Sequence, residues 1–408
     1  MATAATSERR SLLPLLLVVS VAAVTVPTFL ARAQCVKQGG GQEGSSDWCY
    51  TEIARLAIVE GVLDGRTPYL EPCTSRPTPC DEYPPLTMYP MWLSAWVGGS
   101  PLGTYLAAAA LLITAACLTT WFLWKLVGPR ALYFAAAPTL LLYGPMNWDL
   151  LGVVAMTAAL YWFLRGRRSL AAIAVGVGAA AKIMPGLACA PMAFSRTSNR
   201  RIRIDIRFVV LAAVTWLVLD VPFAITGFHG WSELYRYNAA RPIDVDSLWS
   251  VACHAFTGST PCSRASVVDP LSAVLFLIVV SVVWRLRVRE APSTAPWTMG
   301  FAVLAVFFLT NKVYSPQYDL FLLPWFALVI PDLRAFLAFQ AADVAIFLTR
   351  FRGFFQPSLD LFHIAVLARA VVLLLCIYLY IRARVASEPA EDLRDNDAAR
   401  DTSPAIPA

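Results

Sequence analysis

Residues 102–126 read LGTYLAAAALLITAACLTTWFLWKL, a run in which Lys125 is the only charged residue. A helix needs about 20 mostly apolar residues to cross the hydrocarbon core of a bilayer, so this run predicts a membrane-spanning helix. The whole chain has the same character, since 58% of its 408 residues are hydrophobic and 15% are charged. Inside a bilayer the backbone N–H and C=O groups must hydrogen-bond within the protein, which only helices and closed β-barrels achieve. No alternating barrel pattern is visible in the sequence. The sequence therefore indicates an all-α polytopic membrane protein in a lipid bilayer.

Basic residues between the apolar runs orient these spans, because Lys and Arg accumulate on the cytoplasmic side. With the basic clusters inside, the first loop, roughly 32–100, is expected to be extracytoplasmic. The apolar runs and one helical hairpin, 169–194, then give about twelve membrane segments. The runs are 11–31, 102–126, 131–147, 150–165, 208–227, 269–286, 296–311, 317–331, 333–350 and 361–381.

Three further segments complete the organisation of the chain. The apolar stretch 84–99 is rich in Trp and Tyr and predicts a juxtamembrane helix at the interface. Within the hairpin, the turn is expected near Lys182 and Pro185. Residues 1–381 are expected to form one transmembrane domain, and 382–408 a disordered cytoplasmic tail. The first span is expected to be a signal anchor, with a cleaved signal peptide as the alternative.

The cysteines divide by location. Three of them, Cys117, Cys189 and Cys376, lie in apolar runs, and six lie in the two outer loops. The six are Cys35, Cys49, Cys73, Cys80, Cys253 and Cys262. An even count in each outer loop predicts disulfides in an oxidising compartment, with Cys253 and Cys262 as one pair; free thiols in a reducing compartment are the alternative. No metal-ligand spacing is present, so neither a metal nor a cofactor is expected.

The first outer loop carries the main catalytic candidate. Asp47 lies in GSSDWCYTEIARLAIVEG, residues 44–61, ahead of an amphipathic helix expected to start near Asp47 and end at Gly65. A carboxylate at the water–lipid boundary can act as a general base toward a hydroxyl group. The alternative is that Asp47 caps the helix that follows it.

Several short motifs follow one another along the chain. Those in the first loop are Asp47, Tyr50, Gly65, Tyr69 and Tyr83-Pro84-Pro85. The later ones are Lys182 and Pro185 in GVGAAAKIMPGL, and Asn311, Lys312 and Ser315-Pro316-Gln317-Tyr318 in TNKVYSPQYDLFLLP. In their order and membrane side, these motifs resemble the family-87 glycosyltransferases of the GT-C superfamily, and the resemblance covers about residues 10–380.

The resemblance implies a GT-C-like helical bundle in the cell membrane with its active site on the extracytoplasmic face. Its activity would be the transfer of one sugar, mannose in the best-known members, from a polyprenyl-phosphate donor to a glycolipid or glycan acceptor. The transfer would be inverting and metal-independent, with Asp47 as general base and no role for nucleic acid. Other members carry a His pair near the Ser-Pro motif, where this chain has Gln317 and Tyr318, so the acceptor stays open.

The remaining site candidates follow from charge and position. A cation at the outer leaflet would hold the donor phosphate, and the candidates are Lys312, Arg350, Arg352 and Arg241. For Arg350 and Arg352 the alternative is that they are ordinary solvated residues of an outer loop. Sugar or acceptor contacts are expected from Tyr50, Glu82, Tyr83, Asn147, Asp149, His229, Gln317 and Tyr318. Lys182, embedded in an apolar run, has either a structural or a functional role.

Three rival functions remain. The first is a transferase of the same mechanism that uses arabinose or glucose. The second is a transporter or flippase of lipid-linked glycans, and the third is a non-catalytic assembly protein. A flippase is expected to carry charges along several spans, whereas these spans read as nearly charge-free apart from Lys182 and Asp220.

Overall fold

A computed structural model describes residues 2–38, 48–72, 80–196, 202–257, 265–352 and 359–383. Asp47, Cys73, Cys262 and the predicted tail beyond Ala383 lie outside these residues. The described part is helical except for one short hairpin, in which β1 pairs antiparallel with β2.

The elements follow one another along the chain, and short 3-10 turns such as Val62–Asp64 and Pro316–Phe321 connect some of them. They are α1 (Ala2–Lys37), α2 (Glu52–Val59), α3 (Pro85–Gly98), α4 (Pro101–Val127), α5 (Leu132–Ala135), α6 (Pro138–Tyr143), α7 (Asp149–Leu164), α8 (Arg168–Ala181), α9 (Ile183–Cys189), β1 (Phe194–Arg196), β2 (Ile202–Ile204), α10 (Ile206–Thr226), α11 (Phe228–Ala240), α12 (Leu248–Thr257), α13 (Ala265–Glu290), α14 (Met299–Thr310), α15 (Leu323–Leu328), α16 (Leu333–Arg350) and α17 (Leu359–Arg382).

Within the described ranges, four helices are long and apolar enough to cross a membrane. They are Pro101–Ala135, Ile206–Thr226, Val267–Glu290 and Asp360–Arg382. Large apolar side chains on α10 and α13, such as Ile225 and Leu277, are exposed, as lipid-facing side chains would be. The prediction of a helical membrane protein is confirmed.

Some expected spans are broken rather than continuous. The run 131–147 forms the two short helices α5 and α6, which separate just before Pro138. The residue that precedes a proline disfavours helical backbone, which explains the break. The run 317–331 likewise consists of the 3-10 turn Pro316–Phe321 followed by α15.

The hairpin predicted in 169–194 is present as α8 and α9, with Lys182 between them in extended backbone. The two helices approach closely at Gly178, where an added Cβ would lie 2.6 Å from the Cβ of Pro185. Helix α8 also packs on α7 and α10, and α4 packs on α1, α3 and α7. This packing brings the Lys182 break into contact with the start of α7.

The first-loop helix begins later than the sequence suggested. Thr51 is its N-cap, with extended backbone (φ −147°, ψ 132°) and a hydroxyl that accepts the Ile53 N–H at 3.4 Å. The alternative that Asp47 caps this helix is therefore wrong. Helix α2 also ends earlier than expected, at Val59, and a separate 3-10 turn, Val62–Asp64, ends at Gly65, whose φ of +92° suits glycine. Helix α3 occupies the predicted juxtamembrane stretch 84–99.

The expectation of nearly charge-free spans is wrong. Arg369 of α17 is fully buried and donates to Asp319 at 3.3 Å and to the carbonyl groups of Asp246 at 3.0 Å and Tyr314 at 3.3 Å. Asp319 in turn hydrogen-bonds to the buried Asp343 of α16. These charges find partners inside the protein. Because the residues around them in the sequence are apolar, a hydropathy profile does not reveal them.

Disulfides are present in both outer loops. Cys35 at the end of α1 is bonded to Cys49, with their Cα atoms 5.3 Å apart. Cys80 and Cys253 each take part in a disulfide bond as well. The pairing of Cys253 with Cys262 stays a prediction because Cys262 lies outside the described residues. Cys117, Cys189 and Cys376 are free thiols, as their apolar surroundings predicted.

Candidate functional site

Residues 48–52, which directly follow Asp47, are fixed to the transmembrane helices. The Trp48 N–H donates to the Phe351 carbonyl at 2.9 Å, and the buried Arg32 of α1 donates to the Trp48 carbonyl. The Cys35–Cys49 disulfide adds a covalent link to α1. The chain next to the proposed base is thus held between the ends of α1 and α16.

The same segment is bonded to the turn before α7. The Thr51 hydroxyl donates to the Pro145 carbonyl at 3.0 Å, and the Glu52 N–H donates to the Met146 carbonyl at 2.8 Å. These bonds bring the start of α2 against Asn147. Tyr50 stacks on Phe351 with the ring centroids 5.4 Å apart.

Side chains from six parts of the chain meet here in a group that we call the polar cluster. Its members are Tyr50, Glu52, Glu82, Tyr83, Asn147, Asp149, Lys182, Tyr237, Arg241 and Tyr318. Glu52 accepts hydrogen bonds from the Tyr50 hydroxyl at 2.8 Å and from the Asn147 amide. The same amide donates to the Tyr83 hydroxyl at 3.2 Å.

Lys182 gives the polar cluster a buried cation. Its ammonium group pairs with Asp149, the first residue of α7, and its side chain is only 13% exposed. It also lies 5.5 Å from the centroid of the Tyr83 ring and 4.9 Å from that of Tyr318, within cation–π range. Lys182 therefore contacts residues of the first loop and of the Ser-Pro motif.

Tyr237 of α11 and Arg241, which caps the end of that helix, meet Glu82 on one side of the polar cluster. The Tyr237 hydroxyl hydrogen-bonds to Glu82. Burial, reinforced by the neighbouring charge of Glu52, raises the pKa of Glu82. Arg241 pairs with Asp244 at 3.2 Å and keeps 28% of its side chain exposed.

A second group, Glu60, Arg66 and Asp81, holds Glu82 and Tyr83 in place; we call it the Glu60 cluster. Arg66 binds the two carboxylate oxygens of Asp81 at 2.7 and 3.1 Å, and Glu60 accepts the backbone N–H of Asp81. Burial, with the charge of Glu82 next, raises the pKa of Glu60 to about 8. The Tyr69 hydroxyl donates to the Tyr83 carbonyl at 2.6 Å and fixes the next residue of the same segment.

The four predicted phosphate-binding cations have different surroundings. Arg241 belongs to the polar cluster. Lys312 is buried and pairs with Asp269 at 2.9 Å while donating to the Ala239 carbonyl at 3.2 Å. Arg350 lies 3.4 Å from Asp246, and Arg352 is exposed.

The predicted sugar-contacting residues are brought together only in part. Tyr50, Glu82, Tyr83, Asn147, Asp149 and Tyr318 all belong to the polar cluster. Gln317 is buried beside Tyr318 in the 3-10 turn Pro316–Phe321, and His229 is exposed on α11. The position of Asp47 falls outside the described residues.

Sequence reasoning missed Glu52 and the Arg369 network. Glu52 lies two residues after the motif tyrosine Tyr50, which was the available signal. One of its two hydrogen-bond partners, Asn147, lies 95 positions away and cannot be read from local sequence. Across the ranges that the structure describes, no group of three or more His, Cys, Asp or Glu residues could hold a metal ion.

Comparison with known proteins finds likeness to solved structures. No protein-family model and no curated protein matches the chain. The solved structure of ArnT from Cupriavidus metallidurans, bound to undecaprenyl phosphate, is similar over 94% of this chain and 78% of that one. The identity is 13% and the TM-score 0.44, so this likeness alone establishes neither fold family nor function for this chain.

Proposed function

We propose that the protein is a GT-C-like membrane glycosyltransferase that moves one sugar from a polyprenyl-phosphate donor to a hydroxyl group of a glycolipid or glycan acceptor. Mannose is the proposed sugar, and Asp47 is the proposed general base. The observation that carries this proposal is the polar cluster. Three separate motif regions, around Tyr50 and Tyr83, Lys182, and Tyr318, meet beside the fixed segment that follows Asp47.

The chemistry of the polar cluster suits such a transfer. A polyprenyl phosphate leaves as a stabilised anion, so the acceptor hydroxyl needs a base more than the leaving group needs an acid. One positioned carboxylate typically contributes about 10²–10⁴-fold. Arg241 is the foremost candidate for the donor phosphate, because it is partly exposed and adjoins Tyr83 and Tyr318. Lys312, Arg350 and Arg352 stay candidates of second rank.

The proposed setting is the extracytoplasmic face of the cell membrane. The Cys35–Cys49 disulfide adjoins the polar cluster, and disulfides persist mainly in oxidising compartments. The aromatic residues Tyr50, Tyr83, Tyr237 and Tyr318 supply flat, amphipathic surfaces next to carboxylates, a combination that suits a sugar at the edge of a bilayer.

The test uses membranes that contain the protein, a labelled polyprenyl-phosphate mannose and a pool of glycolipid and glycan acceptors. We expect a labelled product that gains one hexose by mass and whose formation EDTA does not inhibit. Parallel reactions with polyprenyl-phosphate arabinose and glucose distinguish the donors. Absence of product with all three donors would contradict the proposal.

One observation favours a second candidate function. The buried Arg369, Asp319 and Asp343 place charges within apolar helices, as in many transporters of the membrane. A transporter of lipid-linked glycans would move labelled glycolipid across reconstituted vesicles without changing its mass. Transport without transfer would replace the first proposal with this one.

A further inference from the structure

The orientation of the Asn147 side chain is fixed by its neighbours. Its Oδ1 atom accepts the Trp148 N–H, so the amide nitrogen points the other way. A side-chain amide nitrogen carries two hydrogens. One bonds to the Glu52 carboxylate and the other to the Tyr83 hydroxyl, so both are used.

This arrangement decides what the Tyr83 hydroxyl can do. Its oxygen accepts a hydrogen bond from Asn147, and its own hydrogen is available for a different partner. Among the residues that the structure describes, none accepts that hydrogen. The Tyr83 backbone is itself fixed through its carbonyl by Tyr69 at 2.6 Å. Tyr83 is thus held as a hydrogen-bond donor within the polar cluster.

The charges around Tyr83 indicate the kind of acceptor that it would meet. Lys182 lies 5.5 Å from its ring centroid, and Arg241 is close enough to interact with it electrostatically. Lys182 is paired with Asp149 and Arg241 with Asp244, and the carboxylates of Glu52, Glu82 and Asp149 also act on Tyr83. Arg241, which keeps 28% of its side chain exposed, is therefore the cation that an incoming anion can reach beside the Tyr83 hydroxyl. A phosphate oxygen can use both this cation and the O–H donor, and hydrogen bonds to charged oxygens are stronger than those between neutral groups.

We propose that the Tyr83 hydroxyl donates a hydrogen bond to a phosphate oxygen of the lipid donor, and that Glu52 is a positioning residue that acts on Tyr83 through Asn147. The inference rests on the proposed function for the identity of the donor. Glu52 holds the Asn147 amide through a charge-assisted bond and is held in turn by Tyr50 at 2.8 Å. Gln at position 52 would keep the size but lose the charge that fixes the amide.

A double-mutant cycle tests this arrangement. The variants are Glu52→Gln, Tyr83→Phe and the double variant, with Tyr89→Phe as the matched control because Tyr89 lies outside the polar cluster. The first measurement is binding of a sugar-free polyprenyl phosphate to the purified full-length protein in detergent. The second is the dependence of transfer rate on donor and on acceptor concentration.

We expect Tyr83→Phe to weaken polyprenyl-phosphate binding by about 10- to 100-fold, the range for loss of a hydrogen bond to a charged group. The apparent KM for donor should rise accordingly, with less change in that for acceptor. Glu52→Gln should weaken binding less. In the double variant the loss should equal that of Tyr83→Phe alone, because Glu52 acts through the hydroxyl that is missing. Glu52→Asp, which keeps the charge, should bind polyprenyl phosphate more tightly than Glu52→Gln.

Unchanged phosphate binding in Tyr83→Phe would overturn the proposed hydrogen bond. Independent, multiplying losses in the double variant would overturn the positioning role of Glu52. If the wild type binds polyprenyl phosphate but transfers no sugar, the proposed function fails while the binding arm still tests Tyr83. If the wild type does not bind polyprenyl phosphate at all, this inference fails as well.

Discussion

The ammonium group of Lys182 and the carboxylate of Asp149 form a buried ion pair where the break between α8 and α9 meets the start of α7. This pair joins the helix break to the polar cluster, because the same ammonium group faces the rings of Tyr83 and Tyr318. A break that leaves one charged residue between two apolar helices is stable only when that residue finds a partner of opposite charge.

Removing one member of this pair should therefore be costly. We expect Lys182→Met to destabilise the protein by about 3–5 kcal/mol, since an unpaired buried carboxylate remains. The double variant Lys182→Met with Asp149→Asn should recover most of that loss without recovering activity. Thermal unfolding in detergent measures both. A double variant no more stable than Lys182→Met would show that the Lys182–Asp149 ion pair does not stabilise the break between α8 and α9.

The Cys35–Cys49 disulfide should stabilise the segment that carries the proposed base. Its sequence separation is 14 residues, and closing a loop of about 15 residues contributes about 3 kcal/mol in the chain-entropy account. We expect the double variant Cys35→Ser with Cys49→Ser to unfold at a lower temperature and to lose transfer activity. Cys117→Ser, which removes a free thiol, is the matched control. Equal melting temperatures for the double variant and the control would contradict this role.

Glu60 should make stability depend on pH. Its pKa is raised to about 8 in the folded protein, above the value of 4.5 for a free side chain. Between those two values the folded state retains a proton that the unfolded state has released, so stability should fall as pH rises through this window. Glu60→Gln, which mimics the neutral form, should flatten the profile, whereas the exposed Glu71→Gln should not. Melting temperatures measured across the window check the slope, and parallel wild-type and Glu60→Gln profiles would refute it.

Arg369 should contribute strongly to the stability of helix packing in the second half of the chain. It joins Asp319 and the carbonyl groups of Asp246 and Tyr314, and it is fully buried. We expect Arg369→Met to cost about 3–5 kcal/mol, because Asp319 is left buried without its cation. Arg382→Met, which breaks an exposed ion pair with Glu290, should cost at most about 1 kcal/mol. Similar losses of melting temperature in the two variants would exclude the proposed support.

Local features of the fold were predictable from the sequence, whereas its charged contacts were not. Lys182 and Pro185 marked the helix break, and Gly65 marked where the helical turns of the first loop end. Such signals act through backbone conformation and close packing, which depend on nearby residues. The partnership of Arg369 with Asp319 joins positions 50 residues apart and depends on which helices pack together. A hydropathy profile averages over such charges and so gave the wrong expectation of charge-free spans.

The candidate site followed the same division. Tyr50, Tyr83, Asn147, Asp149 and Tyr318 were expected from motifs and from their membrane side, and the fold brings them together. Glu52 was missed, because its significance lies in bonds to Tyr50 and Asn147 that only the tertiary structure forms. The roles of all these residues in sugar transfer stay predictions.

The most direct test of the central claim is sugar transfer by Asp47→Asn. Asn keeps the size of the side chain and removes only the basic carboxylate. Thr51, not Asp47, caps α2, so folding of that helix should not depend on the substitution. With equal amounts of folded protein, we predict that transfer from polyprenyl-phosphate mannose falls by about 10²–10⁴-fold while binding of polyprenyl phosphate is retained. Transfer above about a tenth of the wild-type rate, a loss far smaller than a general base typically contributes, would contradict the assignment of Asp47 as the base.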